Sequence, residues 1–215
     1  MFATPLESHP FIHSGPLVTG ELPKMQMGGK DITIVYTGIG IMSTAYELGR
    51  MFMNRRFDLA VNAGICGAYD KSLVPGTVVN VESDCFADLG AEDDHQLLNV
   101  FDIGLKPLNE FPFMDGKIQA DRHPATHSLK NVRAITVNKT SGSETTIEIL
   151  SKKYAPDIES MEGAAFLYAC KMNDIPCIQV RAVSNYVEKR NKENWQTDLA
   201  LDKLSSSLKS ILEVL

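Results

Sequence analysis

The feature that most constrains this chain is an alternation of short, apolar, β-rich runs with amphipathic helical stretches. Residues 32–36, "ITIVY", form such a run and end in Thr37-Gly38-Ile39-Gly40; a helical pattern follows over 43–52. Residues 58–64, 76–83, 133–137 and 176–184 read as four further strands, and 143–153, 162–172 and 194–212 as three further helices. Ser143 opens the first of those three, with acids in the first turn to complement unpaired N–H groups. This order predicts a single α/β domain over 1–215, built as three α/β/α layers on a largely parallel central sheet. Residues 84–130 break the rhythm with acids, prolines and histidines. They read as a long irregular excursion, a length usually kept for function.

Composition removes several classes of function. With 44% hydrophobic residues the chain can bury a sizeable core and is not a disordered tail. No apolar run reaches the roughly 18 residues of a membrane helix, and the opening Met-Phe-Ala-Thr-Pro-Leu-Glu lacks the features of a secretory leader. Lys and Arg number 21 against 27 acids, a net charge of −6, which disfavours nucleic acid or an anionic membrane as the main partner. Lys189, Arg190 and Lys192 still leave room for a small anionic ligand. The four cysteines (Cys66, Cys85, Cys170 and Cys177) show no C-x2-C spacing, so a reduced, cytoplasmic protein is expected. Cys66 sits among glycines, where a nucleophile is conceivable, but buried thiols usually just pack. His9, His13, His95, His123 and His127 lack paired ligand spacing, and Pro124 breaks the helix that would align His123 with His127. No metal is expected.

In open α/β sheets, ligands bind beyond the carboxyl ends of the strands. Here those ends carry the Gly38–Gly40 turn, Asn62-Ala63-Gly64-Ile65-Cys66-Gly67, Thr140-Ser141-Gly142-Ser143 and Ser184-Asn185. The first turn suggests a dinucleotide fingerprint, but Ser43 replaces its third glycine and Asp58 lies at the wrong end of the next strand, so no cofactor is expected. A bare strand-to-helix turn and a turn bordering a small-molecule pocket both stay open. Glu162 also has two readings. It can complement the dipole of the helix it starts, or, with small residues following it, turn its carboxylate to the ligand edge and accept two hydroxyls.

Taken together, "ATPLE", "VYTGIGIMSTA", "VNAGICGA", "VPGTVVNVES", "ESMEGAA" and "VRAVSN", in this order, resemble the nucleoside phosphorylase/hydrolase superfamily, which contains methylthioadenosine/adenosylhomocysteine nucleosidase. "NAGICGAYD", "FADLGAED" and "RAVSNYVEKRNKENW" are similar to the futalosine hydrolase branch. The resemblance implies a mixed central sheet and hydrolysis of the N-glycosidic bond of futalosine, releasing hypoxanthine, within menaquinone biosynthesis. It also implies a homodimer or larger homo-oligomer, with no cofactor. By motif, Glu162 would hold the ribose hydroxyls, Met161 would pack on the sugar, and Glu7 would orient and deprotonate water. Gly64, Ile65, Gly67, Ser160 and Ser184 would be further substrate contacts.

Asn185 falls where adenine-specific nucleosidases carry an aspartate. An amide cannot protonate ring nitrogen 7, but it can donate to that nitrogen or to a 6-oxo group, which suits hypoxanthine. Asn62 and Ile65 occupy the positions where hexameric phosphorylases hold phosphate with arginine and serine, so water is the expected nucleophile. A phosphorylase, an adenine-type nucleosidase and a non-catalytic nucleoside- or dinucleotide-binding module are the alternatives. Futalosine's carboxylated aromatic end would want an aromatic wall and a cation. Phe111, Phe113 and Arg190 are candidates, while Trp195 reads as a helix-packing residue. Chains of this family begin with a buried strand that runs into the "ATPLE" match. Only Met1 and Phe2 precede that match here, so most of the strand is expected to be missing.

Overall fold

A computed structural model describes residues 1–12, 22–94 and 96–215; His13 and His95 lie outside the described residues. Helix α1 spans Pro5–Ile12 and is followed by the hairpin β1 (Lys24–Met27) and β2 (Lys30–Thr33), then by helix α2 (Ile41–Phe52). Strands β3 (Ala60–Ala68) and β4 (Val78–Asp84) lead to a second hairpin, β5 (Gly90–Asp93) and β6 (Gln96–Asn99), and to the short β7 (Ile118–Gln119). The remaining elements are β8 (Lys130–Thr136), α3 (Glu144–Tyr154), β9 (Ile158–Ser160), α4 (Gly163–Lys171), β10 (Cys177–Tyr186) and α5 (Thr197–Val214).

The central sheet is mixed and runs β10-β3-β9-β8-β4-β7, with β10 also pairing β4. That extra pairing bends five of the six strands into a closed ring. β3 and β10 run parallel to each other; β4, β8 and β9 run parallel among themselves, and the two groups meet antiparallel at β10–β4 and β3–β9. This is the mixed sheet that the resemblance implies; the alternation alone suggested a largely parallel one, because connection lengths in the sequence do not report strand direction across the closure. Val79, Val81, Val132, Ala134, Ile158 and Val183 fill the ring.

Helices cover both outer faces. α2 buries Thr44, Leu48 and Phe52, one residue per turn of one face, and packs with the nearly all-buried α4. α5 buries Ala200, Leu201, Leu204, Leu208, Ile211 and Leu212 against α1, β3 and β10. The four predicted helices are all present. α1 and β9 have no counterpart in the sequence reading, since a Pro-containing octapeptide and a three-residue strand carry little periodicity.

Three expectations need revision. Residues 32–36 do not form a strand of the main sheet: Lys30–Thr33 belongs to the hairpin, and Tyr36 joins only through a bridge to Phe2. Residues 1–3 lie extended between β3 and this segment, with the Ala63 amide donating to the Met1 carbonyl and the Phe2 amide to the Val35 carbonyl. The "NAGICG" stretch is the second half of β3 rather than a loop, and Ser184-Asn185 likewise lies inside β10. Finally, the 84–130 excursion is ordered around the β5–β6 hairpin and β7, which pairs with β4.

Candidate active site

All the residues singled out by motif except Gly64 line a cavity of about 400 Å³. Its wall takes Ala3 and Thr4 just before α1 and Glu7 from its first turn, Ile65 to Gly67 from β3, and Glu159 and Ser160 from β9. Met161 and Glu162 lead into α4, and Ser184 to Tyr186 come from β10. A larger cavity of about 770 Å³ lies against the β1–β2 hairpin and the end of α5, and none of the predicted site residues lines it.

One end of the smaller cavity is ionic. Glu7 sits in the first turn of α1, and its carboxylate accepts from the Ala3 amide at 2.9 Å, the Thr4 amide at 3.2 Å and the Ile65 amide at 3.2 Å. Ile65 therefore contributes through its backbone. Burial pushes the Glu7 carboxyl above its ordinary value; Arg181 opposes that shift and Glu162 adds to it. Glu162 stands immediately before α4, yet its side chain makes no cap bond to that helix. It accepts instead from the Gly40 amide at 3.1 Å and lies 3.7 Å from Arg181. Its side chain lines the cavity, where the second reading of Glu162 needs it. The structure also explains the glycine turn, whose Gly38 and Gly40 take φ of 81° and 90°, so that an amide meets this carboxylate rather than a pyrophosphate.

Arg181 received no role from the sequence. It is 1% exposed, and among the described residues its Nε and Nη2 have no hydrogen-bond partner. The available signal was its place in a buried run, between Val180 and Ala182, where a charge requires a partner. Gly64 gives it room: a Cβ there would meet Arg181 Nη1 at 2.4 Å and Glu7 Oε1 at 2.6 Å. Gly64 thus lies under the ionic cluster rather than on the cavity wall.

Away from that cluster the wall carries Glu159, Ser184 to Tyr186, Glu188 and Arg190. A bulge in the β3–β10 ladder between Val183 and Asn185 sets Ser184 out of register and re-aims Asn185. The Ser184 hydroxyl lies 2.7 Å from Asn185 Oδ1 and 3.1 Å from the Cys66 carbonyl. Asn185 Nδ2 donates one hydrogen to the Tyr186 carbonyl at 2.9 Å. With its oxygen held by Ser184, the amide keeps a second N–H to give. Arg190 and Trp195 also line the cavity, their guanidinium and ring 5.4 Å apart, so Trp195 is a wall residue as well as a lead-in to α5.

Other candidates are placed elsewhere. Phe113 is buried among Phe86, Phe101 and Tyr168, and Phe111 is exposed; neither lines the cavity. Asn62 Nδ2 donates to Gln179 beneath the sheet, in a buried chain that continues through Asp84 and Thr136 to the Ala164 amide. Gly163 lets α4 settle on that chain, since a Cβ there would fall 2.0 Å from Asp84. His123 Nδ1 accepts from the Ala125 amide in a local turn. All four cysteines are free and buried, and burial pushes the Cys66 thiol up to about 12, which leaves it a poor nucleophile. Among the described residues, no group of three or more His, Cys, Asp or Glu could hold a metal, and no helix is long and apolar enough to cross a membrane.

Comparison with known proteins agrees with this architecture. The futalosine hydrolase of Thermus thermophilus is 28% identical over 208 residues, covering 94% of this chain and 90% of that protein. A 5'-methylthioadenosine/S-adenosylhomocysteine nucleosidase from Colwellia psychrerythraea is 27% identical over 194 residues, 85% and 78% of the two chains. Among solved structures, the futalosine hydrolase of Helicobacter pylori superposes with a TM-score of 0.83 at 16% identity, over 100% of this chain and 96% of that one. The Neisseria meningitidis 5'-methylthioadenosine/S-adenosylhomocysteine nucleosidase, bound to methylthio-immucillin-A, gives 0.83 at 17% identity over 100% and 97%. The family model described as "Phosphorylase superfamily" matches residues 2–215, so the whole architecture that carries the cavity is accounted for, and the chain belongs to the phosphorylase superfamily.

Proposed function

We propose that this protein hydrolyses the N-glycosidic bond of a purine nucleoside, and that its substrate is the hypoxanthine nucleoside futalosine, on the route to menaquinone. The observation that carries this reading is the division of the cavity: Glu7 and Glu162 beside buried Arg181 at one end, and an amide with a spare N–H, Asn185, at the other.

At the ionic end two carboxylates face one guanidinium, so ionised Glu7 and Glu162 leave one net negative charge in a poorly solvated place. Such a charge stabilises an oxocarbenium-like sugar more than its neutral ground state, and that differential is what accelerates the step. Glu162 accepts the ribose hydroxyls and Met161 packs on the sugar. Glu7, held by three amides, orients a water and takes its proton as that water attacks the anomeric carbon. Gly64 leaves room for that arrangement, and Ile65, Gly67, Ser160 and Ser184 border the substrate. As the glycosidic bond breaks, its electron pair moves onto the purine, and Asn185 donates to ring nitrogen 7 or the 6-oxo group.

The names of the Thermus and Helicobacter relatives support futalosine. The 27%-identical nucleosidase supports a second reading, cleavage of methylthioadenosine; Asn185, which cannot protonate adenine, speaks against it. Asn62, turned into the Gln179 network, supports water over phosphate as nucleophile. Leu6 and Ile39 are exposed at the cavity mouth, a suitable surface for a second copy of the chain. The test is release of free base from futalosine, inosine and methylthioadenosine in phosphate-free buffer, repeated with phosphate. Hypoxanthine from futalosine, unchanged by phosphate, is expected; adenine from methylthioadenosine as the main product would overturn the assignment.

A further inference from the structure

We infer that Glu159 is a specificity-determining residue of this site, its carboxylate accepting the N–H at ring nitrogen 1 of a 6-oxopurine and thereby turning away 6-aminopurines. The inference rests on the purine-nucleoside reading above and adds a residue to it.

Glu159 lies on β9, is 4% exposed and lines the cavity. It lines the same cavity as Asn185. A Cβ added at Gly67 would stand 2.9 Å from Val187 Cγ2, 3.5 Å from Asn185 Nδ2 and 3.6 Å from Glu159 Cγ, so donor amide and acceptor carboxylate lie beside the same glycine of the wall. A side chain at Gly67 would collide with buried Val187 and crowd both groups, so glycine is what lets them stand where they do. From Gly67 back to Gly64, under the ionic cluster, is three residues of β3, about 10 Å at ~3.3 Å per residue, which suits a ribose at one end and the far edge of a purine at the other.

The protein has fixed Glu159 as an acceptor. The Ser141 amide donates to Oε1 at 2.9 Å and the Tyr69 hydroxyl lies 3.2 Å from Oε2, itself 3.1 Å from the Ser141 hydroxyl. Those bonds use two of roughly four lone-pair sites, so each oxygen can accept again. On a 6-oxopurine the edge beside ring nitrogen 7 reads acceptor at position 6, then donor at ring nitrogen 1. The amide and the carboxylate complement that order. On a 6-aminopurine both are reversed, and Glu159 would face a lone pair in a water-poor site. Mismatch of that kind can discriminate by factors on the order of 10⁴.

The experiment compares futalosine with its analogue methylated at ring nitrogen 1, and with methylthioadenosine, using wild type, Glu159→Ala, Glu159→Gln and Tyr69→Phe. Wild type is expected to prefer unmethylated futalosine by ~10² in kcat/KM, about what an unpaired buried group costs. Glu159→Ala should bring that preference to near unity, and Glu159→Gln should shift the ratio of methylthioadenosine to futalosine cleavage upward by at least roughly tenfold. Tyr69→Phe removes a tether but not the acceptor, and should keep the preference. If Glu159→Ala and Glu159→Gln slow both futalosine substrates equally, Glu159 only braces Ser141 and Tyr69; the inference fails and the hydrolase reading stands. If wild type releases base from none of the substrates, the hydrolase reading itself fails.

Discussion

Replacing Gly64 with alanine puts one methyl group where Glu7 and Arg181 cross β3. The added Cβ would lie 2.4 Å from Arg181 Nη1 and 2.6 Å from Glu7 Oε1. Both separations must open by about 1 Å to reach normal van der Waals contact. Neither neighbour yields easily: three amides hold the Glu7 carboxylate, and Arg181 is 1% exposed inside β10. Overpacking of this kind costs roughly 1–3 kcal/mol, which at this chain length lowers Tm by roughly 2–12 °C. The kinetic effect should be larger in proportion, because a displacement of about 1 Å in a catalytic group can cost ~10² in rate. The assay is a thermal melt paired with single-turnover release of hypoxanthine from futalosine. A variant with wild-type Tm and a rate within about twofold of wild type would refute the claim that Glu7 and Arg181 are pinned over Gly64.

Other perturbations follow from the same contacts. Glu7→Gln removes the proposed base and should lower kcat by ~10²–10⁴; because burial holds Glu7 above its ordinary value, the acid limb of the wild-type pH–rate profile should be displaced upward from that of an unperturbed glutamate and vanish in the variant. Asp84 is fully buried, and burial raises its carboxyl from 3.8 to about 6. A raised acid favours the folded state fully below its unfolded pKa, and that contribution, on the order of 3 kcal/mol, is lost as pH climbs from 3.8 through about 6. Chemical denaturation from pH 4 to pH 7 should therefore show wild type losing ground relative to Asp84→Asn, and parallel pH curves would exclude Asp84 as the cause. Finally, iodoacetamide at pH 8 should leave base release unaffected, since all four thiols are buried; rapid inactivation would point to an accessible cysteine.

How much of this was legible beforehand can be traced through single residues. Ser143 announced α3 correctly: its hydroxyl caps the helix by accepting from the Thr146 amide. The helical pattern over 43–52 falls within α2, and the structure shows that Leu48 and Phe52, one turn apart, lie on its buried face. Glu7, Met161, Glu162 and Asn185 were found by motif, and the fold places all four on one cavity. Arg181 and Glu159 were printed in the same motifs and received no role. Their importance lies in what they face, and a charge in a strand does not name its partner.

The sequence by itself determined the α/β class and helices α2 to α5, because hydrophobic periodicity and caps are local and survive in a one-dimensional string. It also supplied the residue types on which the proposed chemistry rests, since amide against carboxylate at position 185 is a matter of identity. The tertiary structure decided the rest. Closure of the sheet through the β4–β10 pairing, the bulge that re-aims Asn185, and the convergence of Glu7, Glu162 and Arg181 over Gly64 join residues far apart in the chain. Those contacts depend on strand direction and register, which non-local hydrogen bonding and burial fix together and no short window of residues encodes.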